Sequence, residues 1–364
     1  MERRQPLLFQ RFPALAERPP FCRLADGLPT PVERLPGLAD LWGVEHLYVK
    51  RDDLTSSLYG GNKVRKLEWV LAAIEARGRR SVITTGAWGS HHALATAVFA
   101  CERGLRPTLV LFPQPATAHV RDNLTASLAT GARAVYALSV ASVPAAAARA
   151  MVTARLAGQG WPAWVPAGGS DERGTLGYVE AALELASQIQ RGECPVPRYV
   201  HVAAGTCGTA AGLALGLGLA SEEVPALGDA VVIATRVVPG VMANALQMRK
   251  LVRGAARLLR RGGAAFSPAR AVGVEILGGQ LGRGYGHPTG AAEAIRQHAA
   301  DLDGLVLDST YTAKALAGVH AHATETTDRR RAVHLYVHTL GRRPSRSAPA
   351  ADVEQLPRAL RAVK

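Results

Sequence analysis

The sequence predicts an α/β protein built on parallel sheets with helices on both faces. Three observations predict it. Short β-like apolar runs alternate with segments whose apolar residues recur every three to four positions. Glycine (37 residues) and alanine are abundant, and the apolar runs are short, as tight strand-to-helix turns require. The unusual polar residues fall at those turns, where such sheets hold their ligands. A chain of 364 residues is long for one core and suggests two domains.

In order, HLYVKRD (46–52) reads as a strand. NKVRKLEWVLAAIEARG (62–78) reads as a helix with Val64, Leu67, Val70, Leu71 and Ile74 on one face. SVITTG (81–86) is a strand, SHHALATAVFACERG (90–104) a helix and TLVLF (108–112) a strand. DNLTASLATGA (122–132) is a helix, AVYAL (134–138) a strand and GTLGYVEAALELASQIQ (174–190) a helix. YVHVAA (199–204) is a strand that ends in a Gly-rich turn. DAVVIATRVV (229–238), RAVGVEI (270–276) and VHLYVHT (333–339) are further strands. The tail over 342–364 opens turn-rich, reads as mobile, and has room for a short last helix. No internal repeat is visible.

Composition excludes several classes. Hydrophobic residues make up 48% and charged residues 20%, as in a globular protein. The N-terminal stretch has charge and proline throughout and no apolar core, so a secretory signal is not expected. The stretch 199–220 carries no Lys, Arg, Asp or Glu, yet its β-like start and Gly-rich turn read as a buried strand entering a buried helix rather than a membrane span. Cys22, Cys101, Cys194 and Cys207 form no CxxC pair, which fits a reducing cytosol. The net charge of +14 is spread out, and its densest piece, MRKLVRGAARLLRR (248–261), has the spacing of a solvated amphipathic helix, so no nucleic-acid partner is expected.

Four segments carry chemistry. In GGNKVRKLE (60–68), Lys63 stands at a helix start, where the helix dipole disfavours a cation. Arg65 and Lys66 follow, and such crowding is expected to lower the lysine pKa, as a nucleophilic lysine needs. In TTGAWGSHHALATA (84–97), Ser90-His91-His92 open a helix whose free N–H groups suit a carboxylate or phosphate; a serine there is equally an ordinary cap. In VAAGTCGTAAG (202–212), the run Gly205-Thr206-Cys207-Gly208-Thr209 lets backbone amides close around a phosphate, with neither a P-loop nor a dinucleotide fingerprint. GRGYGHPTG (282–290) and LDSTYTAKALAG (307–318) place Tyr285 and Tyr311 in small-residue loops. A reactive lysine, an anion site and a phosphate cup are the parts of a pyridoxal-phosphate enzyme. The adjacent His91-His92 and the pair His334/His338 carry no HExxH, and HLYVH reads as a strand, so no metal site is expected.

The stretch KRDDLTSSLYGGNKVRKLE (50–68) closely resembles the signature of the D-cysteine desulfhydrase and 1-aminocyclopropane-1-carboxylate deaminase family, which has the tryptophan-synthase-β-like fold. GAWGSHH (86–92), PAGGSDERGTLGYVEAA (166–182), AAGTCGTAAG (203–212), GYGHPTG (284–290), DSTYTAKALAG (308–318) and YVHTLG (336–341) match later landmarks in order. The resemblance implies two three-layer α/β domains, a large one over 1–65 and 171–364 and a small one inserted at 66–170. It implies that Lys63 forms the Schiff base with the cofactor, beside Asn62, and that Ser90, with the neighbouring His91 and His92, meets the substrate carboxylate. Gly205 to Thr209 would hold the phosphate, and Tyr285 and Tyr311 would line the substrate side. His91 stands where the family usually has an asparagine that hydrogen-bonds the cofactor's phenolic oxygen. Thr312 and Thr339 stand where the ring-opening deaminases have Glu and Leu, and so look like the desulfhydrase branch. Trp88 and Leu340 are further departures that bear on the pocket. The expectation is a cytoplasmic, homodimeric lyase that eliminates the β-substituent of a D-cysteine-like amino acid. Two rivals stand beside it: another reaction on the same fold, and a non-catalytic ligand- or nucleic-acid-binding protein on that scaffold.

Overall fold

The computed structural model describes residues 5–16, 18–267, 271–341, 354, 356–361 and 363. Ten strands form two sheets. They are β1 (Val32–Arg34), β2 (His46–Lys50), β3 (Ser81–Ala87), β4 (Arg106–Phe112), β5 (Arg133–Tyr136), β6 (Ala163–Trp164), β7 (Tyr199–Ala204), β8 (Val231–Arg236), β9 (Gly273–Leu277) and β10 (Val333–Val337). The larger sheet runs β1-β2-β10-β7-β8-β9 and the smaller runs β5-β4-β3-β6. Every pairing is parallel except β1 with β2. Helices cover both faces, so the middle strands are buried on both sides. Val200, His201 and Val202 of β7 are all fully buried, as expected for a central parallel strand.

The uncharged stretch over 199–220 is β7 followed by the buried helix Gly208–Ala220. Among the described residues no helix is long and apolar enough to cross a membrane. The helix packs closely on Glu172–Gln190 because two of its positions carry no side chain. A Cβ at Gly212 would lie 2.4 Å from the Thr175 carbonyl oxygen, and one at Gly216 would lie 2.6 Å from Ala182 Cβ. Helix Glu172–Gln190 starts at Asp171, whose carboxylate accepts from the amides of Arg173 (3.0 Å) and Gly174 (2.8 Å).

Arg65 lies on helix Asn62–Glu75 and is buried. Its guanidinium donates to Asp52 (2.9 Å) and to Glu184 (2.9 Å), while Lys50 Nζ donates to Glu184 (2.7 Å) and the Tyr178 hydroxyl to Asp52 (2.6 Å). Burial works against the Glu184 carboxylate, but Arg65 and Lys50 hold it well below the usual range. Removing one member of such a buried cluster costs about 3–5 kcal/mol, because the remaining charges stay buried. The network ties β2 to helices Asn62–Glu75 and Glu172–Gln190.

All the strands and helices predicted above are present, with ends shifted by a few residues. Several elements were not predicted, including helices Leu7–Arg11, Pro36–Trp42, Thr312–Ala323 and Thr327–Arg331. β1 reads VER and has no apolar signal, and β6 is two residues long. Helix Val143–Ala154 is alanine-rich with a proline in its first turn, and helix Gly290–Asp303 follows a Thr289 cap. The arginine-rich stretch forms helix Ala245–Arg261, with Met248, Leu251, Ala255 and Leu259 buried. Most of the tail over 342–364 lies outside the described residues; Arg358–Arg361 is a short helix.

Candidate active site

A cavity of about 660 Å³ opens where the strand ends of both sheets meet helix starts. Its wall includes Asn62, Lys63, Ser90, the segment Gly205–Thr209, Tyr285 and Tyr311. The strand-helix turns singled out in the sequence therefore converge, although they are separated by up to 250 positions in the chain.

Lys63 is the second residue of helix Asn62–Glu75, and its Nζ donates to Asn62 Oδ1 (2.9 Å). Burial lowers its pKa to about 8, partly opposed by the negative charge of Asp308. The cause differs from the crowding expected from the sequence. Arg65 turns into its own ion-pair network and adds no repulsion at Lys63. Lys66 sits one turn along at the other side of the cavity. Its Nζ donates to the Gly168 carbonyl (3.2 Å) and Ser170 Oγ (3.2 Å). Burial first, and then the charge of Lys63, hold its pKa well below the ordinary value.

Asn62 links the lysine to the phosphate cup, since its Nδ2 donates to Thr209 Oγ1 (3.0 Å). The cup is the turn into helix Gly208–Ala220. Cys207 adopts a left-handed backbone (φ 66°), which a non-glycine residue rarely takes and which swings successive amides to one side. Thr206 Oγ1 lies 2.6 Å from Ser170 Oγ. A Cβ at Gly208 would sit 2.4 Å from Ser170 Oγ and 2.9 Å from Lys66 Nζ, so only glycine leaves room for that amine beside the helix start. Free amides, two hydroxyls and a lysine amine at a helix N-terminus suit a phosphate dianion, whose charge would in turn favour the protonated amine.

Across the cavity, Ser90 caps helix His91–Glu102, and its Oγ accepts from the Ala93 amide (3.2 Å). It is thus a cap and a wall residue at once. His91 is held from both sides: Nδ1 lies 2.7 Å from the Tyr59 hydroxyl, and Nε2 lies 3.1 Å from His119 Nε2. His92 also lines the cavity, but its Nε2 lies 2.9 Å from Thr84 Oγ1, and burial holds it neutral. The hydroxyls of Tyr285 and Tyr311 are 2.5 Å apart, with the rings edge to face. Burial pushes Tyr285 up to about 12, with the bond to Tyr311 opposing, so the pair keeps its protons near neutral pH.

Two residues expected at the pocket are placed differently. Thr312 is buried and absent from the cavity wall; its hydroxyl donates to Asp308 Oδ2 (2.6 Å). Asp308 lines the wall instead, together with Thr339. The Asp308 carboxylate also accepts from the amides of Thr310 (2.8 Å) and Tyr311 (2.7 Å), as an aspartate ahead of a helix does. Burial would raise its pKa, but His91 and the Thr312 hydroxyl hold it lowered. Trp88 is also outside the wall: its ring packs with the outer cluster that contains Leu356 and Leu360. Leu340 does reach the cavity.

Lys66, Asp308 and Tyr59 are the site residues that the sequence reading did not assign. The spacing of Lys66, one helical turn after Lys63, and the Asp-Ser-Thr-Tyr-Thr helix start were the signals available.

A lysine of lowered pKa at the mouth of a phosphate cup defines a class: enzymes that carry a phosphorylated aldehyde on a lysine. Comparison with known proteins narrows it. The chain belongs to the pyridoxal-phosphate dependent enzyme family, which residues 24–337 match. It is 33% identical over 324 residues to the D-cysteine desulfhydrases of Salmonella paratyphi B and Salmonella schwarzengrund, covering 86% of this chain and 92% of each of theirs. Among solved structures it is similar to an ACC deaminase homologue, with a TM-score of 0.75 and 30% identity over 92% of this chain and 95% of that one. A threonine deaminase from Solanum lycopersicum, at 16% identity and a TM-score of 0.58 over 92% of this chain and 84% of that one, shares the fold. The tryptophan-synthase-β-like fold class read from the sequence is therefore the fold of this chain.

Proposed function

We propose that the chain eliminates the β-substituent of a small, D-cysteine-like amino acid, giving pyruvate, ammonia and the released thiol. The observation that carries this reading is Lys63, with its low pKa, joined through Asn62 to the threonine of the phosphate cup. Bound through Lys63, pyridoxal phosphate supplies the electron sink that makes the α-proton removable. Gly205–Thr209 and Lys66 would hold the phosphate, which the helix dipole favours and whose charge would favour the protonated Lys66. Lys63 would be the base for the α-proton, since burial lowers its pKa to about 8 and so brings its neutral form within reach near neutral pH. Ser90 and the first amides of helix His91–Glu102 face the substrate carboxylate. His91, oriented by Tyr59 and His119, stands toward the cofactor's phenolic oxygen. Tyr285 or Tyr311 delivers a proton to the departing sulfur, and their close pairing lets one hydroxyl replace the proton the other gives up. Thr339 and Asp308, both on the cavity wall, would meet the cofactor ring, with Thr312 acting through Asp308.

The reading includes a homodimer in the cytoplasm, supported by the family resemblance. It also includes two domains, one over 1–65 and 171–364 and one over 66–170, with helix Asn62–Glu75 shared across the boundary. The membership of the two sheets supports that division. Pyruvate release from a panel of D-cysteine, L-cysteine, D-serine, β-chloroalanine and 1-aminocyclopropane-1-carboxylate tests the function. Release fastest from D-cysteine supports it. Ammonia without pyruvate from the cyclic substrate, with D-cysteine inert, sinks it in favour of another reaction on this fold.

A further inference from the structure

Three histidines meet far from the cavity. His201 lies in the middle of β7, His334 near the start of β10, and His322 in the last turn of helix Thr312–Ala323. His322 is ten residues from the cavity end of that helix, about 15 Å by helical rise. His201, His322 and His334 have respective exposures of 0%, 2% and 0%, and one ring nitrogen from each lies within 4.8 Å of the others. His201 Nε2 and His334 Nδ1 are 2.9 Å apart, and Tyr199 stacks on His334 at 5.2 Å.

The protons in this cluster do not balance as an ordinary buried network. His334 Nε2 faces the Arg329 carbonyl at 2.7 Å, so that nitrogen carries the hydrogen and Nδ1 is bare. His201 Nε2 then donates to Nδ1, which leaves His201 Nδ1 with no partner. Among the described residues both ring nitrogens of His322 are also buried without one. Buried polar atoms without partners are rare and point to a missing ligand. An imidazole that gives one N–H to a backbone carbonyl and turns its bare nitrogen to other imidazoles has the arrangement of a metal ligand. Burial lowers all three pKa values, His322 to about 4, so the rings are neutral and able to ligate.

We propose that His201, His322 and His334 form a buried three-histidine site for a divalent transition metal, zinc foremost. Tetrahedral zinc with ordinary bonds sets its nitrogens about 3.3 Å apart, so the His201–His334 pair needs to open by only tenths of an ångström. Glu275 Oε2, on β9, lies 4.0 Å from His322 Nε2 and supplies the fourth ligand from the solvent side. Arg329, the nearby cation, is ion-paired with Glu325. With four protein ligands the site is structural. It clamps β7, β10 and helix Thr312–Ala323, whose opposite ends lead to Gly205, Thr339 and Tyr311.

The test uses the cofactor-loaded protein, stripped with a chelator and then titrated with zinc or cobalt. We expect one zinc per chain, a melting temperature several degrees higher with zinc, and the visible bands of tetrahedral cobalt. We expect all three to vanish in His322→Phe and to persist in His119→Phe. X-ray absorption on the zinc-loaded wild type reads the ligands directly, should His322→Phe fail to fold. Imidazole scattering with zinc–nitrogen distances of about 2.0 Å supports the site. Wild-type protein that takes up no zinc at micromolar concentration, zinc bound with sulfur ligation, or full retention in His322→Phe overturns it.

Discussion

Lys63 and Lys66 are one turn apart on the same helix, yet they serve opposite ends of one cavity. Lys63 donates to a side-chain amide and has an aspartate across the cavity. Lys66 is held by a carbonyl and a hydroxyl beside the cup. Between them Arg65 points out of the cavity altogether, into carboxylates. Three cations within four positions thus have three fates, decided by what each meets across the fold. The comparison teaches that the charge of a residue in this helix says little about its chemistry until its partners are known.

The largest effect should come at the reactive end. Lys63→Ala should leave the fold intact and lower turnover at least about 10⁴-fold, because one amine both anchors the cofactor and moves the proton. The visible band of the loaded protein, and its loss on borohydride treatment, should disappear with it; a mutant that kept both would break the comparison. Arg65→Met comes next and acts on stability. It leaves Asp52 and Glu184 buried with fewer partners, and urea unfolding should show a loss of about 3–5 kcal/mol. Lys66→Met should keep the borohydride-sensitive band but weaken cofactor affinity about 10- to 100-fold, as loss of a charge-assisted bond does. Equilibrium dialysis of the cofactor would read it.

The smallest effect is in pH. Cofactor uptake by the stripped protein needs a neutral Lys63, so its rate should rise with pH and level off just above 8 rather than near the ordinary lysine value of 10.5. The same depression has a sign for stability. Between about pH 8 and 10.5 the unfolded chain binds the proton and the folded chain does not, so Lys63 adds stability as pH rises through that window. A stopped-flow series and a matching set of melts would check both against Lys63→Ala, which should lose the uptake trend and show a shallower stability trend, the remainder coming from the lowered Lys66.

Much of this was legible in the sequence because the fold places its chemistry at local features. A Gly-rich turn between a strand and a helix marks its own position, and so Lys63, Ser90, Gly205–Thr209, Tyr285 and Tyr311, all on the cavity wall, were singled out there, their roles being what the family resemblance implies. What escaped was chemistry made by distant pairs. Lys66 looked like a repulsive neighbour of Lys63, because nothing local shows Ser170 closing on it from 104 positions away. Thr312 is the local exception: it looked like a ring contact, although the Asp-Ser-Thr-Tyr-Thr helix start held the signal that its hydroxyl goes to Asp308, four positions away. Trp88 sits in the right loop, yet its ring follows the apolar cluster on the far side. His334 was weighed against His338 in the same strand, whereas its partner His201 lies 133 positions earlier.

The strand order has a consequence for how the molecule is made. β10, the last strand, lies in the middle of the larger sheet, between β2 and β7. A nascent chain must therefore be synthesised through residue 337 before the sheet can close. Until then β2 and β7 each present an unpaired edge, the kind that recruits strands from other chains. Such long-range pairing is slow to form, so the ribosome-bound intermediate is the stage most exposed to aggregation. Thr339, Leu340 and Gly341 complete the cavity wall only then. Cofactor capture in the mature pocket is thus a post-translational event, and chains cut short before β10 should accumulate as insoluble protein rather than as weak enzymes.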